Sequence, residues 1–306
     1  SIDLPKYGEE CPVSFSDVDL AEKIFGADVP TLKGKSTKPQ SPIINKNDVI
    51  ELPDELKHNR REIELAIDVF YINDECFLHS FDRSIKRKLI FTLGTRKKGE
   101  GYNKTLLFQA LDNVLCHYNK ADIYITTIHA DTEFQTILAD FDNNEKLEVS
   151  MNFALPAEHV PDIERANRVL QEGFRVNLYH LPFKVIPRAM IQHLALRVTR
   201  HRNHFPAATG ISKHYSPHTI VSGRQVDFNK ELVYSYGDYV QANHEMPHKN
   251  NNLPRTLDCI YLRVDNSLQG GHQVMDLATS KMIHRPKVDA CTMTRMVVDR
   301  VEFLAT

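Results

Sequence analysis

The order of strand and helix patterns in the middle of the chain constrains its fold most strongly. The segment "EIELAIDVFYI" (62–72) alternates as a strand does, and one face carries Glu64, Ala66, Asp68 and Phe70. "ECFLHSFDRS" and "KLIFTLG" predict two further strands joined by a turn at 82–84. Strand and helix patterns alternate after them, which gives the order β-β-β-α-β-α-β-α. This order predicts a mixed sheet with helices on its faces.

Two helical patterns in that order have a clear apolar stripe. The first, "NKTLLFQALDNVLCHY", carries Leu107, Leu111, Val114, Leu115 and Tyr118 at helical spacing. The second, "PDIERANRVLQEGFRVNLYHL", opens on Pro161 and carries Ile163, Ala166, Leu170 and Phe174. Between them, "DIYITTIHAD" is apolar on both faces and predicts a central strand.

The composition and the helix and strand patterns of successive segments predict three regions. Residues 1–55 form an N-terminal extension with one helix, "SDVDLAEKIFG", capped by Ser16 or Asp17 and closed by Gly26, followed by an extended linker. Residues 56–205 form the α/β core. Residues 206–306 are rich in Pro, Gly and Asn with short alternating pieces, which predicts a small β-rich C-terminal module.

Composition narrows the class of protein. The 306 residues are 42% apolar and 25% charged, as in ordinary globular proteins, and no apolar run approaches the length of a membrane span. The five cysteines lie far apart and never as CxxC, which argues against a disulfide framework or a thiolate zinc site and fits a reducing compartment. A net charge of −2 lacks the basic excess usual in nucleic-acid binders, but basic residues cluster at 86–88, 96–98 and 197–204.

Three carboxylates in the α/β core are candidates for a shared metal site. Asp68 lies in the middle of a strand, where aspartate is depleted, Asp131 ends the central strand, and Glu164 lies about one turn into the second helix. Taken singly, they fit a partnered strand residue, a turn residue and a surface Glu–Arg pair. Taken together, they can converge as the all-oxygen cluster that Mg²⁺ prefers, and two such ions promote in-line displacement at phosphorus.

Several segments resemble the integrases of long-terminal-repeat retrotransposons, in particular copia-like elements, whose integrase is a fragment of a Pol polyprotein. "LAIDVFYI" with "FDRS" resembles the first catalytic strand and its hairpin, and "IHADTEF" is similar to the second-aspartate segment. "IERANRVLQEGFR" is similar to the helix that bears the catalytic glutamate. Downstream, "SPHTIVSGRQVDFNKELVYSYGDYVQA" resembles the stretch that follows the core, so the resemblance spans roughly residues 60–290.

The resemblance implies an RNase H-like fold and a catalytic triad of Asp68, Asp131 and Glu164 that holds two Mg²⁺ or Mn²⁺ ions when DNA is bound. It implies 3′-end processing of element DNA and strand transfer into target DNA. It also implies DNA contacts by Arg168, Arg165 and Arg175 on the glutamate helix. The expected partners are element and target DNA and further copies of the chain, with no membrane, in the nucleus or a cytoplasmic virus-like particle.

The sequence departs from the family pattern at three points. "DTEF" lacks the paired glycines, the interval from Asp131 to Glu164 is slightly short, and the paired His and Cys of the N-terminal zinc module are missing. These departures leave open a degenerate or domesticated integrase-like domain that binds nucleic acid or protein without catalysis. A cellular RNase H-like nuclease is a third alternative, since it would use the same carboxylates.

Overall fold

The computed structural model describes residues 12–36, 48–96, 102–135, 149–153, 161–245, 252–265 and 270–306. The described residues belong to two compact units. The mixed-sheet unit lies within Lys46–His180 and Ile191–Asp227, and the antiparallel-sheet unit lies within Ser1–Asn45, Leu181–Met190 and Phe228–Thr306. Whether these units match independently folding domains with the predicted boundaries at 55/56 and 205/206 stays a prediction, which limited proteolysis would check.

The mixed-sheet unit has a five-stranded sheet in the order β3-β2-β1-β4-β5. Its strands are β1 (Glu62–Ile72), β2 (Glu75–Asp82), β3 (Lys88–Thr95), β4 (Tyr124–Ala130) and β5 (Ser150–Phe153). The first three pair antiparallel as two successive hairpins, whereas β4 pairs parallel with β1 and β5 parallel with β4. The predicted architecture, a mixed five-stranded sheet with flanking helices and a further β-rich part, is confirmed.

Helices occupy the connections and flanks of the described chain. They are α1 (Phe15–Phe25), α2 (Val29–Lys35), α3 (Asp54–Asn59), α4 (Lys104–Asn119), α5 (Pro161–Tyr179), α6 (Arg188–Asn203), α7 (Pro217–Ser222), α8 (Phe228–Glu231) and α9 (Arg295–Leu304). Among the described residues, none of these helices combines the length and apolar character needed to cross a membrane.

The two faces of the mixed sheet bury different partners. On one face, Ile63, Leu65 and Ile67 of β1 join the core that contains α4, and the whole predicted stripe of that helix is buried there. On the other face, Ala66 and Phe81 pack against Ile163 and Ala166 of α5. The period-2 alternation of β1 therefore sets Glu64, Ala66 and Asp68 on the α5 side of the sheet.

The antiparallel-sheet unit has a second five-stranded sheet in the order β10-β6-β7-β8-β9. Its strands are β6 (Tyr239–Asn243), β7 (Thr256–Val264), β8 (His272–Asp276), β9 (Met282–Arg285) and β10 (Val288–Ala290). Helix α2 attaches to β7 because Lys33 Nζ lies 2.8 Å from Asp258 Oδ2 and the Lys33 carbonyl accepts from the Arg255 N–H. An N-terminal helix is thus part of this unit.

The N-terminal helices correct two details of the sequence analysis. Ser14, rather than Ser16 or Asp17, caps α1, because its Oγ accepts from the Asp17 N–H while Asp17 accepts from the Ser14 N–H. Gly26 closes the helix with φ +79°, as predicted. Helix α2, capped by Asp28, overlaps the start of the predicted linker. The rest of that linker, at 37–47, lies outside the described residues.

Several residues of the basic clusters pack against other parts of the protein. The Lys86 and Lys88 ammonium groups lie 5.5 and 5.0 Å from the centre of the Phe81 ring. In the cluster at 197–204, Arg197 and His204 are buried. In the cluster at 96–98, only Arg96 lies within the described residues, and its guanidinium stacks over Tyr71. Basic residues in these clusters therefore contribute to the structure of the fold itself.

Candidate functional site

The register of β1 and β4 aligns two of the three candidate carboxylates. The parallel pairing ends with Ala66 opposite His129, and Asp68 and Asp131 each follow by two residues. Asp131 keeps an extended backbone, with φ −70° and ψ 158°, so the alternation continues to it. Asp68 and Asp131 thus lie at equivalent levels of neighbouring strands, which are about 4.8 Å apart in a sheet, on the face that α5 covers.

Helix α5 brings Glu164 to the same face of the sheet. Its buried side carries Ile163, Ala166, Leu170 and Phe174, as the sequence predicts. Asn167, three residues after Glu164, donates from Nδ2 to Asp68 Oδ2 at 2.6 Å. Residues three apart on a helix are neighbours on its surface. Glu164, which is exposed, therefore lies one helical turn before the residue that contacts the Asp68 carboxylate.

Asp68 belongs to a chain of hydrogen bonds that ends in the sheet. Its Oδ1 accepts from the Val69 N–H at 2.7 Å, and its Oδ2 accepts from Asn167. The Asn167 Oδ1 lies 2.6 Å from His79 Nδ1. His79 is the residue of β2 that pairs with Asp68, and its side chain is fully buried beside Phe70. Burial lowers the pKa of His79 to about 3, so the ring is neutral at physiological pH.

A second polar group lies on the same face, toward the start of β1. His129 Nε2 donates to Glu64 Oε2 at 3.0 Å, and Asn152 Nδ2 lies 3.0 Å from His129 Nδ1. The hydrogen bond from His129 is the largest cause that lowers the pKa of Glu64. Arg83 joins this group to helix α5, because its Nε lies 3.2 Å from Asp162 Oδ2 in the first turn. These contacts help to seat the beginning of α5 on the sheet.

The predicted DNA-contacting arginines lie on the solvent side of α5. Arg165, Arg168 and Arg175 are all exposed. They do not share the buried stripe of the helix, and Arg168 follows Glu164 by four residues, so the two are neighbours on the helix surface. Nothing in the structure tests whether they bind DNA, and their role stays a prediction.

The donor chemistry of the three carboxylates fits a hard divalent cation, because all the ligand atoms are oxygens. Within the described part of the chain, however, no group of three His, Cys, Asp or Glu side chains lies close enough together to hold a metal ion. In this structure, Asp68 is oriented by Asn167 and Val69. A complete site would therefore need Glu164 and Asp131 to approach Asp68.

The sequence analysis did not identify His79 and Asn167, although each is a polar residue within an otherwise apolar pattern. His79 is a polar residue inside "ECFLHSFD", a strand in which every residue is buried. Asn167 follows Glu164 by three residues, and it lies between the apolar positions Ile163, Ala166 and Leu170. A buried histidine and a buried amide need hydrogen-bond partners, so the sequence could have predicted that each forms a buried hydrogen bond.

Three solved structures resemble this chain at low similarity. The catalytic core domain of BIV integrase is 9% identical, with a TM-score of 0.34, over 52% of this chain and 93% of that one. A chain of the simian T-cell lymphotropic virus intasome in complex with PP2A regulatory subunit B56 gamma is 12% identical, with a TM-score of 0.35, over 95% of each. The HTLV-2 integrase catalytic core domain in complex with magnesium is 10% identical, with a TM-score of 0.33, over 53% and 96%.

No protein-family model matches the sequence, and no curated protein matches it either. At such low identities and TM-scores, the three structures do not bear on the chemistry of this chain. Its function has to be inferred from its own side chains.

Proposed function

We propose that the mixed-sheet unit is an integrase-type polynucleotidyl transferase domain, which binds DNA ends and joins them to target DNA with a divalent metal. One observation carries this proposal: Asp68 and Asp131 are level on the α5 face of neighbouring strands, and α5 contacts Asp68 one turn after Glu164. Carboxylates that converge from two strands and a helix are suited to metal-assisted phosphoryl transfer.

Each residue then has a defined role. Asp68, Asp131 and Glu164 would hold the metal, which supplies charge stabilisation for an attacking hydroxyl and a leaving oxygen when bound. Arg168, with Arg165 and Arg175, would neutralise DNA phosphates along the exposed side of α5. Phosphoryl transfer needs positioning and charge more than a protein nucleophile, so these side chains suffice for the chemistry. Further copies of the chain would assemble on the DNA.

Replacement of Asp131 tests the catalytic role. We expect Asp131→Asn to abolish Mn²⁺-dependent joining of a labelled DNA duplex to a plasmid, because the amide oxygen is neutral. Binding of the same duplex should change little. Asp112→Asn, on the exposed side of α4, is a matched control and should keep full activity. Full joining activity in Asp131→Asn would contradict the triad.

A second candidate is a non-catalytic integrase-like domain that binds DNA or protein. It is favoured by the fact that no three metal-ligating side chains are grouped among the described residues. Calorimetric titration with Mn²⁺ distinguishes the two. Catalysis predicts binding that Asp68→Asn weakens, whereas a protein that binds no Mn²⁺, or binds it equally well in Asp68→Asn, supports the second candidate.

A further inference from the structure

The hydrogen bonds around Asn167 have one consistent direction. A carboxylate accepts hydrogen bonds, so the group that faces Asp68 Oδ2 at 2.6 Å has to be the Nδ2–H₂ end of the amide. The Oδ1 end then faces His79 Nδ1 at 2.6 Å, and an amide oxygen only accepts. His79 therefore carries its proton on Nδ1 and donates it to Asn167.

The other ring nitrogen of His79 agrees with this direction. His79 Nε2 is buried and has no hydrogen-bond partner among the described residues. An acceptor is left unpaired in folded proteins somewhat more often than an N–H donor, so a bare lone pair at Nε2 is favoured over an unpaired N–H there. Both ends of the ring thus favour the tautomer with the proton on Nδ1.

We propose that His79 and Asn167 are positioning residues for Asp68: His79 sets the direction of the Asn167 amide, and the amide holds the Asp68 carboxylate in one orientation. This inference rests on the proposed function, because it assigns Asp68 a metal. The Val69 N–H and the Asn167 amide are neutral donors, so these two contacts orient the Asp68 carboxylate without neutralising its charge. The contact also locks α5, and with it Glu164, to the strand that carries Asp68.

The hydrogen bonds from His79 through Asn167 to Asp68 can be tested without measuring DNA joining or metal binding. In protein labelled with ¹⁵N-histidine, nuclear magnetic resonance should show His79 as the Nδ1–H tautomer. His79→Leu should shift the Asn167 side-chain amide signals, because Oδ1 loses its donor. His79→Asn should restore them, since the amide N–H₂ of an asparagine lies near the position of Nδ1. The proposal would be overturned if His79 were the Nε2–H tautomer, or if the Asn167 side-chain signals were unchanged in His79→Leu.

The link to function is tested by Mn²⁺ affinity. Loss of a residue that orients a metal ligand weakens binding by about 10- to 100-fold, so we expect His79→Leu and Asn167→Leu to lose about 10-fold or more, and His79→Asn to recover most of it. Ser80→Ala is the matched control, because Ser80 is equally buried on β2 but pairs with Ile67 on the other face of the sheet. Circular dichroism and thermal unfolding confirm that each variant is folded.

The outcomes separate the two proposals. If the unaltered protein binds Mn²⁺ and His79→Leu binds it equally well, the positioning role is wrong and the metal site stands. If the unaltered protein binds no Mn²⁺, the proposed function is wrong. In that case, the His79 tautomer and the Asn167 side-chain amide signals still test whether His79 and Asn167 orient the Asp68 carboxylate.

Discussion

At the scale of single residues, wholly or partly buried titratable groups contribute to the response of the mixed-sheet unit to acid. Burial, followed by the charge of Arg87, lowers the pKa of His117 to about 4. Burial, followed by the charge of Arg200, lowers the pKa of His204 to about 3. In the unfolded chain, both histidines would bind a proton near pH 6.5. Between these values the unfolded state therefore binds more protons, and acid destabilises the fold. Asp82 acts in the opposite sense, because burial raises its pKa to about 6.

We expect His117→Gln to reduce this sensitivity to acid. The free energy of unfolding of the unaltered protein should fall as the pH drops from 6.5 to 4, and the variant should recover about 1–2 kcal/mol of that loss at pH 5. Urea unfolding at pH 7 and pH 5 measures the difference. The exposed His214→Gln is the control. Equal losses in His117→Gln and the unaltered protein would contradict the assignment.

The arginines of α5 give a prediction for DNA binding. We expect Arg168→Ala to weaken binding of a DNA duplex about equally for different sequences, because a phosphate contact carries no sequence information. The slope of log K against log salt should fall by about one. Fluorescence anisotropy at several salt concentrations measures both quantities. An unchanged slope would exclude a phosphate contact. Arg61→Ala is the control, because Arg61 is an exposed arginine outside α5 whose guanidinium stacks on Tyr124.

At the scale of elements, helices α5 and α6 approach each other through a glycine. A Cβ added to Gly173 would lie 2.9 Å from Val198 Cγ1, closer than two carbon atoms can pack. Valine is stiff at χ1, so its methyl group cannot easily move aside. The low helix propensity of glycine is thus tolerated at this position because it allows the two helices to pack closely.

We therefore expect Gly173→Ala to destabilise the protein by about 1–3 kcal/mol, as overpacked core substitutions do. The double variant Gly173→Ala/Val198→Ala should recover part of the loss. Gly34→Ala in α2 is the matched control, because its added Cβ meets no atom within 4 Å, and it should stabilise by about 0.5–1 kcal/mol. Thermal unfolding of the three variants provides the measurement. Stabilisation by Gly173→Ala would show that the helices can separate without cost.

The elements also show which features a sequence can predict. The stripes of α4 and α5 and the face of β1 that carries Asp68 follow from periodicity, which repeats over many residues. The hydrogen bonds from His79 through Asn167 to Asp68 depend on the rotation of α5 about its axis against the sheet. Periodicity in the sequence does not predict that rotation. Helix α2 has seven residues, too few to show a period, so only Asp28 and Pro30 marked its start.

At the scale of the whole molecule, the two units depend on different contacts for stability. The antiparallel-sheet unit includes α2, through Lys33 and Asp258. Asp258 also accepts from Tyr239 and Gln241, so it joins β6, β7 and α2 in one polar group. The N-terminal extension predicted from the sequence thus contributes to the β-rich part of the protein.

We expect Lys33→Met to increase hydrogen exchange at the amides of β7 and leave β1 unchanged. The pair is partly exposed, so the cost should be about 0.5–1 kcal/mol. Lys57→Met, which removes ion pairs with Glu51 and Asp54 in the mixed-sheet unit, is the matched control and should leave β7 protected. Faster exchange throughout both sheets in Lys33→Met would contradict the assignment of α2 to one unit.

The contact between Lys33 and Asp258 has a consequence during synthesis of the chain. The two residues are 225 positions apart. At about 5–20 residues per second, a ribosome takes roughly 10–50 s to make that interval. Helix α2 is too short to be stable alone in water, so it has to wait for β7 before it can dock. The mixed sheet is complete before β7 is made and can form first, so folding would end when α2 docks on β7.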